Sequence, residues 1–323
     1  MSFATLFGSD PRENQLRWLR HEGNPVIGCG EGWNAEFVGP CSLVEEGHGV
    51  VLYAEGGTRE HESIGLYRST REGLSLGEWV PAPENPILGP SAAGFDRGSV
   101  FDPAVIHFGG ATLLYYSATS GGAHEFAELA GGSADDGLDD ERIGVAVANL
   151  SGTFDRLATP VLGGRCPGVI EWRGSLYLFY VKVVRGGYRI FLVRSSDGSN
   201  FVPAAEGPVF DVGTPGSWDS FTVTTPKVFN DGSQFVMLYA GDARLIDDPM
   251  GIGLAVSDDL LHWRRHPGNP VFVTGPSGEF DSVSVASAIP YEVGGRWCLL
   301  YAGSDRSIKD GLHSLIGMAC LCV

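Results

Sequence analysis

Three acids and one arginine in this chain occupy places where packing alone does not ask for charge. Asp102 sits in the run Phe101-Asp102-Pro103-Ala104-Val105-Ile106, and a carboxylate among apolar neighbours is expensive unless a partner or a hydrated site receives it. Glu36 and Glu55 flank apolar segments in the same way, and Arg165 precedes Cys166-Pro167-Gly168. Neighbouring carboxyls suit proton transfer, because one can keep a proton that the other has lost. An arginine keeps its proton at any working pH, so Arg165 can hold an anionic group but cannot serve as an acid. Around these lie Arg59, His61, His124, Lys182, Arg244 and Arg306. So many basic and imidazole groups in a chain of net charge −17 could form an electropositive bowl for a carboxylate or phosphate. Asp242 and Asp305 share those segments as substrate contacts. With Glu60, Glu62 and Asp248 they also offer the plainer explanation of ordinary ion pairing. No cofactor or metal is implied. The histidines form no HExxH pattern, the six cysteines form no pair of CxxC units, and no phosphate-binding glycine motif follows a strand.

What could position these residues is a repeat. The phrases Gly23-Asn24-Pro25-Val26, Glu84-Asn85-Pro86-Ile87, Thr159-Pro160-Val161-Leu162, Gly207-Pro208-Val209-Phe210 and Gly268-Asn269-Pro270-Val271 punctuate the chain. After each come an apolar aromatic run (VVLYAEGG, TLLYYSAT, LYLFYVKV, FVMLYAGD, WCLLYAGS) and a third run (IGLYRS, IGVAVA, IFLVRS, IGLAVS, IGMACL). Short β-rich runs bounded by Gly, Asn, Asp and Pro read as strands. Five such units of about 50–70 residues, with four strands each, match the blades of a β-propeller. The expected fold is all-β: a single five-bladed propeller domain over 1–323, with blades near 23–83, 84–158, 159–206, 207–266 and 267–323. The last unit stops after its third strand. Residues 17–25, RWLRHEGNP, match 262–270, HWRRHPGNP. Residues 16–22 are therefore predicted to supply the outer strand of blade five, closing the ring and hiding two exposed sheet edges.

The repeat also sorts residues by exception. Aromatic–Asx pairs recur at Trp33-Asn34, Phe95-Asp96, Trp218-Asp219 and Phe280-Asp281, which reads as an Asx-type turn with a packed ring. Trp33 is retained beside that as a substrate contact. Aligned on the first-strand proline, Gly39, Asp102, Cys166, Thr225 and Ser287 share one position, where Asp102 alone is charged. Glu36 is the charged exception against Ser99, Thr222 and Ser284, and Glu55 against Gly241 and Gly303. Strand direction places all three acids on the face where first strands converge and ligands usually sit. The acidic balance of 39 to 22 disfavours nucleic acid and anionic membrane surfaces as partners. No apolar stretch reaches the ~18 residues of a membrane helix, and no basic-then-apolar leader opens the chain. A cytoplasmic monomer or homodimer with reduced thiols is the expectation. The insertion from Thr119 to Arg142, with its acidic run, reads as a surface excursion, or alternatively as a lid over the bowl.

On these residues the chain resembles the five-bladed propeller glycoside hydrolases, families 32 and 43 and their relatives. The run Phe101-Asp102-Pro103-Ala104-Val105 is similar to the Asp-Pro strand of their second blade. Gly216-Ser217-Trp218-Asp219-Ser220 and residues 251–263, GIGLAVSDDLLHW, are similar to that superfamily's blade signatures. The resemblance implies a blade-one Asp as nucleophile or base, a blade-two Asp in support and a blade-three Glu as acid. Carried over residue by residue, Asp102 remains, in the supporting role, while Gly39 and Arg165 stand at the other two places. Glycoside hydrolysis needs two carboxyls about 5–9 Å apart, so Glu36 and Glu55 are the candidate substitutes. The expected function is a glycoside hydrolase-like enzyme acting on a sugar or sugar-like small molecule, anionic ones included. The alternatives are a non-hydrolytic biosynthetic enzyme (cyclase, isomerase, transferase or phosphorylase) and a carbohydrate-binding protein without catalysis.

Overall fold

Each recurring unit folds into one antiparallel sheet in the computed structural model, which describes residues 2–121, 140–184, 187–244, 248–311 and 313–322. The innermost strands are Phe37–Glu46, Ser99–Phe108, Arg165–Trp172, Thr222–Asn230 and Ser284–Val293. Each neighbours the next and the fifth returns to the first, so the five blades form the expected closed ring. The core lies in layers between successive blades. Val51, Tyr53, Leu114 and Tyr116, for example, fill the layer between blades one and two.

Two side-chain devices explain the repeated phrases. The asparagine of each Asn-Pro phrase docks on a third strand. Asn85 accepts from the Leu66 amide at 2.7 Å and donates to the Leu66 carbonyl at 2.8 Å. Asn269 does the same to Leu254 and Asn24 to Met318. The aromatic–Asp pairs are more than Asx turns. Asp96 accepts from the Tyr116 hydroxyl at 3.0 Å and from Arg156 at 2.8 Å. Asp219 takes Tyr239 and Arg265, and Asp281 takes Tyr301 and Arg20. In each blade the tyrosine lies on the second strand and the arginine on the outermost, so one buried carboxylate ties the sheet across its width.

Arg20 shows how the ring closes. Trp18–Arg20 pairs antiparallel with Leu315–Leu321, Trp18 opposite Leu321 and Arg20 opposite Ala319. Arg20 thus does for blade five what Arg156 and Arg265 do for blades two and four. Ahead of the clasp, Phe3 and Phe7 are buried against Phe229, Trp297 and Trp18. Beneath it the structure corrects the expectation of reduced thiols. Cys298 and Cys320 face each other on neighbouring strands and form a disulfide, their Cα atoms 3.9 Å apart.

Strand pairing also corrects the alignment that put Gly39 with Asp102. Phe101 pairs with Ser117 and Ala104 with Tyr115, leaving Asp102 and Pro103 as a two-residue bulge. Blade one skips a single residue, from Pro40, opposite Ala54, to Ser42, opposite Tyr53. Gly39, opposite Glu55, holds the register that Phe101 holds opposite Ser117, so Pro40 and Cys41 stand where blade two has Asp102 and Pro103. A Cβ on Gly39 would stand 2.7 Å from Glu55 Oε1, so this glycine leaves room for the glutamate. In the other four blades the residue at the Pro40 register, Asp102, Cys166, Thr225 or Ser287, has a left-handed backbone with φ of 47–52°. A non-glycine residue there is uncommon, and a β-branched threonine more so. Backbone strain of about 1–3 kcal/mol per residue at such sites clusters where function is built.

Candidate active site

The strained bulges turn backbone amides and side chains inward, and Asp102 is where they converge. It is 6% exposed. Its Oδ2 accepts from the Ser117 hydroxyl at 2.8 Å and from the Cys166 amide at 3.2 Å. Its own amide donates to Glu55 Oε2 at 3.0 Å. Arg165 Nε stands 3.5 Å from Asp102 Oδ2, and Arg165 Nη1 lies 3.5 Å from Glu141 Oε1 and 3.4 Å from the Tyr188 hydroxyl. The guanidinium rests between the rings of Phe101 and Tyr188, 5.1 and 5.7 Å from their centroids. From the other side of the channel, Lys227 donates to the Cys41 carbonyl at 2.7 Å.

This arrangement separates two adjacent carboxyls. Burial works against a charge on Asp102, but the Arg165 guanidinium and the Ser117 hydroxyl outweigh it and hold the carboxyl below its usual range. Glu55 has the opposite fate. Burial, and then the charge of Asp102, push it up to about 8. At neutral pH the pair therefore carries one proton, and Glu55 keeps it. Burial raises both neighbouring thiols, Cys41 and Cys166, so neither is a nucleophile. Glu55, Asp102 and Cys41 present donor atoms within 4.8 Å of one another.

These groups form the floor of a cavity of about 150 Å³ lined by residues from all five blades. Of the site residues expected from sequence, Asp102, Glu55, Arg165 and Arg306 line it, joined by Glu62 and Asp248, which were expected only in ion pairs. The others do not, and their partners explain why. Glu36, its side chain 40% exposed, pairs at the surface with Arg59, itself 80% exposed. Asp242 is buried and clamped by both ends of the Arg244 guanidinium. Asp305 pairs with Arg306 and His313. Lys182 lies over the Tyr180 and Phe191 rings. His61 belongs to a separate surface depression with Arg97 and Ser120. Trp33 is packed into blade one against Gly56 and Gly65. His124, with most of the 119–142 insertion, lies outside the described residues. Arg59 and Arg244 are held in ion pairs, while Arg165 and Arg306 line the cavity.

Several site residues escaped the sequence. Lys227 is a charged exception on a first strand, opposite Leu238, where the corresponding residues are Ala104, Gly168 and Ile289. The rule that found Asp102 would have found it. Glu141 was masked by the acidic run beside it, and Ser117 is an ordinary residue until Asp102 is seen against it. Glu62, taken as a loop acid, is buried and lines the cavity.

A closed propeller of five blades, each a sheet of four or five strands, with a paired carboxyl floor defines the class of fold. No family model and no curated protein matches the sequence, but solved structures match the fold over nearly the whole chain. One is a glycosyl hydrolase from Bacteroides ovatus, 16% identical, covering 94% of this chain and 92% of its own, with a TM-score of 0.68. A second comes from the GH130 family of mannoside phosphorylases, described as containing glycoside hydrolases that target β-1,2 mannosidic linkages in Candida mannan. It is 16% identical over 94% of this chain and 93% of its own, at a TM-score of 0.70. A third is a thermostable family-43 glycoside hydrolase, 17% identical over 92% and 90%, at 0.63. The fold is that of the five-bladed propeller glycoside hydrolases and phosphorylases.

Proposed function

We propose that the chain is a carbohydrate-processing enzyme in which Glu55 donates a proton to the leaving oxygen of a glycosidic bond. The observation that carries this is an acid holding its proton at neutral pH beside an ionised aspartate, on the floor of a cavity lined by all five blades. Asp102 acts on Glu55, its negative charge keeping the proton in place and its amide orienting the carboxyl. Oxygens of the two lie within 4.8 Å, short of the roughly 6.5–9.5 Å needed for a water between acid and base. The pair therefore works as one acid with its support, and the nucleophile enters from the open side of the bowl. A phosphate nucleophile needs no base, which keeps phosphorolysis beside hydrolysis as the second reading.

The test is release of phenols from a panel of aryl glycosides, with and without inorganic phosphate. Glu55→Gln should abolish cleavage of poor leaving groups while sparing dinitrophenyl glycosides, which depart without protonation. An equal loss for both leaving groups would remove Glu55 from the acid's role. A panel left uncleaved under both conditions would favour a binding protein.

A further inference from the structure

Glu62 belongs to none of the pairings above. It opens the third strand of blade one, is 5% exposed, and lines the cavity. Its backbone amide is anchored on the Ser99 hydroxyl at 3.1 Å, but its Oε2 is fully buried and has no hydrogen-bond partner among the described residues. Two other buried acids of the same loops are matched. Asp242 has Arg244, and Asp248 accepts from the Ser307 hydroxyl and the Ile308 amide. A buried carboxyl oxygen left without a donor forfeits about 1–3 kcal/mol, so its place at the cavity wall points to a donor that arrives with the ligand.

The surroundings decide what kind of donor. At neutral pH Glu55 keeps its proton, so the acids whose charges reach Glu62 are Asp102 and Glu141, against the guanidinium of Arg165; Arg306 lines the same cavity but is paired with Asp305. Burial and these acids raise its pKa well above that of an ordinary carboxyl. An anionic ligand would deepen the negative field, and a neutral hydroxyl would leave it unchanged. A cation relieves it, lets Glu62 ionise, and forms a charge-assisted bond roughly twice as strong as a neutral one.

We propose that the bowl takes a substrate bearing a protonated amine, an amino sugar or an aminated polyol, with the ammonium seated on Glu62. This rests on the carbohydrate reading of the same cavity, and it reverses the sequence-level expectation that anionic substrates are accommodated. On binding, Glu62 releases its proton to solvent as the ammonium arrives. Affinity therefore rises with pH as long as the amine itself stays charged.

The experiment compares two probes of matched shape, tris(hydroxymethyl)methylammonium and its neutral analogue pentaerythritol, by calorimetry on the full chain at neutral pH. The ammonium should bind at least about tenfold more tightly, with net proton release seen as a buffer-dependent enthalpy. Glu62→Gln should bring the two probes to similar affinity. Glu62→Asp, which keeps the charge, should retain part of the preference, and the surface variant Glu45→Gln all of it. Equal binding of the two probes, no binding of either, or a preference that survives Glu62→Gln would overturn the proposal. The two readings fail separately. Cleavage of neutral aryl glycosides without an ammonium preference removes the amine alone. A Glu62-dependent ammonium site in a protein that cleaves nothing removes the enzyme alone.

Discussion

Glu55→Gln should make the protein more stable, and increasingly so as pH rises. The unfolded glutamate titrates near 4.5 and the folded one near 8. Between those values the unfolded chain gives up a proton that the native state keeps. The native state binds more protons, so wild-type stability falls with rising pH through this window and levels off above it. One pKa unit corresponds to 1.36 kcal/mol, so the full interval is worth about 5 kcal/mol, and about 3 kcal/mol after allowing for solvent at the partly exposed carboxyl. Glutamine cannot ionise, yet its oxygen can still accept the Asp102 amide that Glu55 now accepts at 3.0 Å. The variant should therefore match wild type near pH 4.5 and exceed it by about 3–5 kcal/mol near pH 8. Denaturant melts of both proteins across that range measure the difference, in which groups remote from Glu55 cancel, while Glu62, raised in part by the charge of Glu55, adds to it. A difference that stays flat with pH would show that Glu55 is ordinarily ionised, and the acid assignment would fall with it. A gain in stability coupled to a loss of turnover is what a residue held against its preference by function should show.

Asp102→Asn removes the charge that, after burial, helps hold the proton on Glu55; it should lower turnover by about 10²–10⁴ and move the alkaline limb of the pH profile to lower pH, and an unchanged rate and profile would return Asp102 to a structural role. Trp18→Ala empties a site buried against Phe7 and Phe272 and breaks the indole bond to the Val271 carbonyl at 2.9 Å. It should cost about 3–5 kcal/mol and lower the melting temperature by about 6–10 °C, while deletion of residues 1–22 should leave an aggregating open ring. Gly65→Ala would drive a methyl into the Trp33 indole and should destabilise blade one without touching the bowl, read as a lower melting temperature with unchanged ligand affinity. Reducing the Cys298–Cys320 bond, which closes a loop of 22 residues, should remove about 3 kcal/mol, measured by melts with and without reductant against a Cys298→Ala control.

Blade number and ring closure were legible in the chain because they depend on local, repeated signals. An Asn-Pro phrase, an aromatic strand and a glycine-led third strand each declare themselves within about ten residues, and the match of 17–25 to 262–270 marks the missing strand wherever it lies in space. Asp102 was legible for a related reason: a repeat makes a lone charge at one register visible. The bulge register of blade one was not, since one residue more or less in a bulge leaves no trace in composition, yet it moves Gly39 from the catalytic position to a clearance beneath Glu55. Nor could sequence tell which loop acids meet arginines and which do not. Glu36 lies just before the first strand of blade one and Glu62 opens its third. One ends 40% exposed beside Arg59 and the other buried at the cavity wall. Local pattern decides which strands form, because hydrogen bonding and side-chain alternation are near-neighbour effects. The state of a carboxyl depends on burial and on charges brought in by other blades, and that is settled only when the ring closes around it.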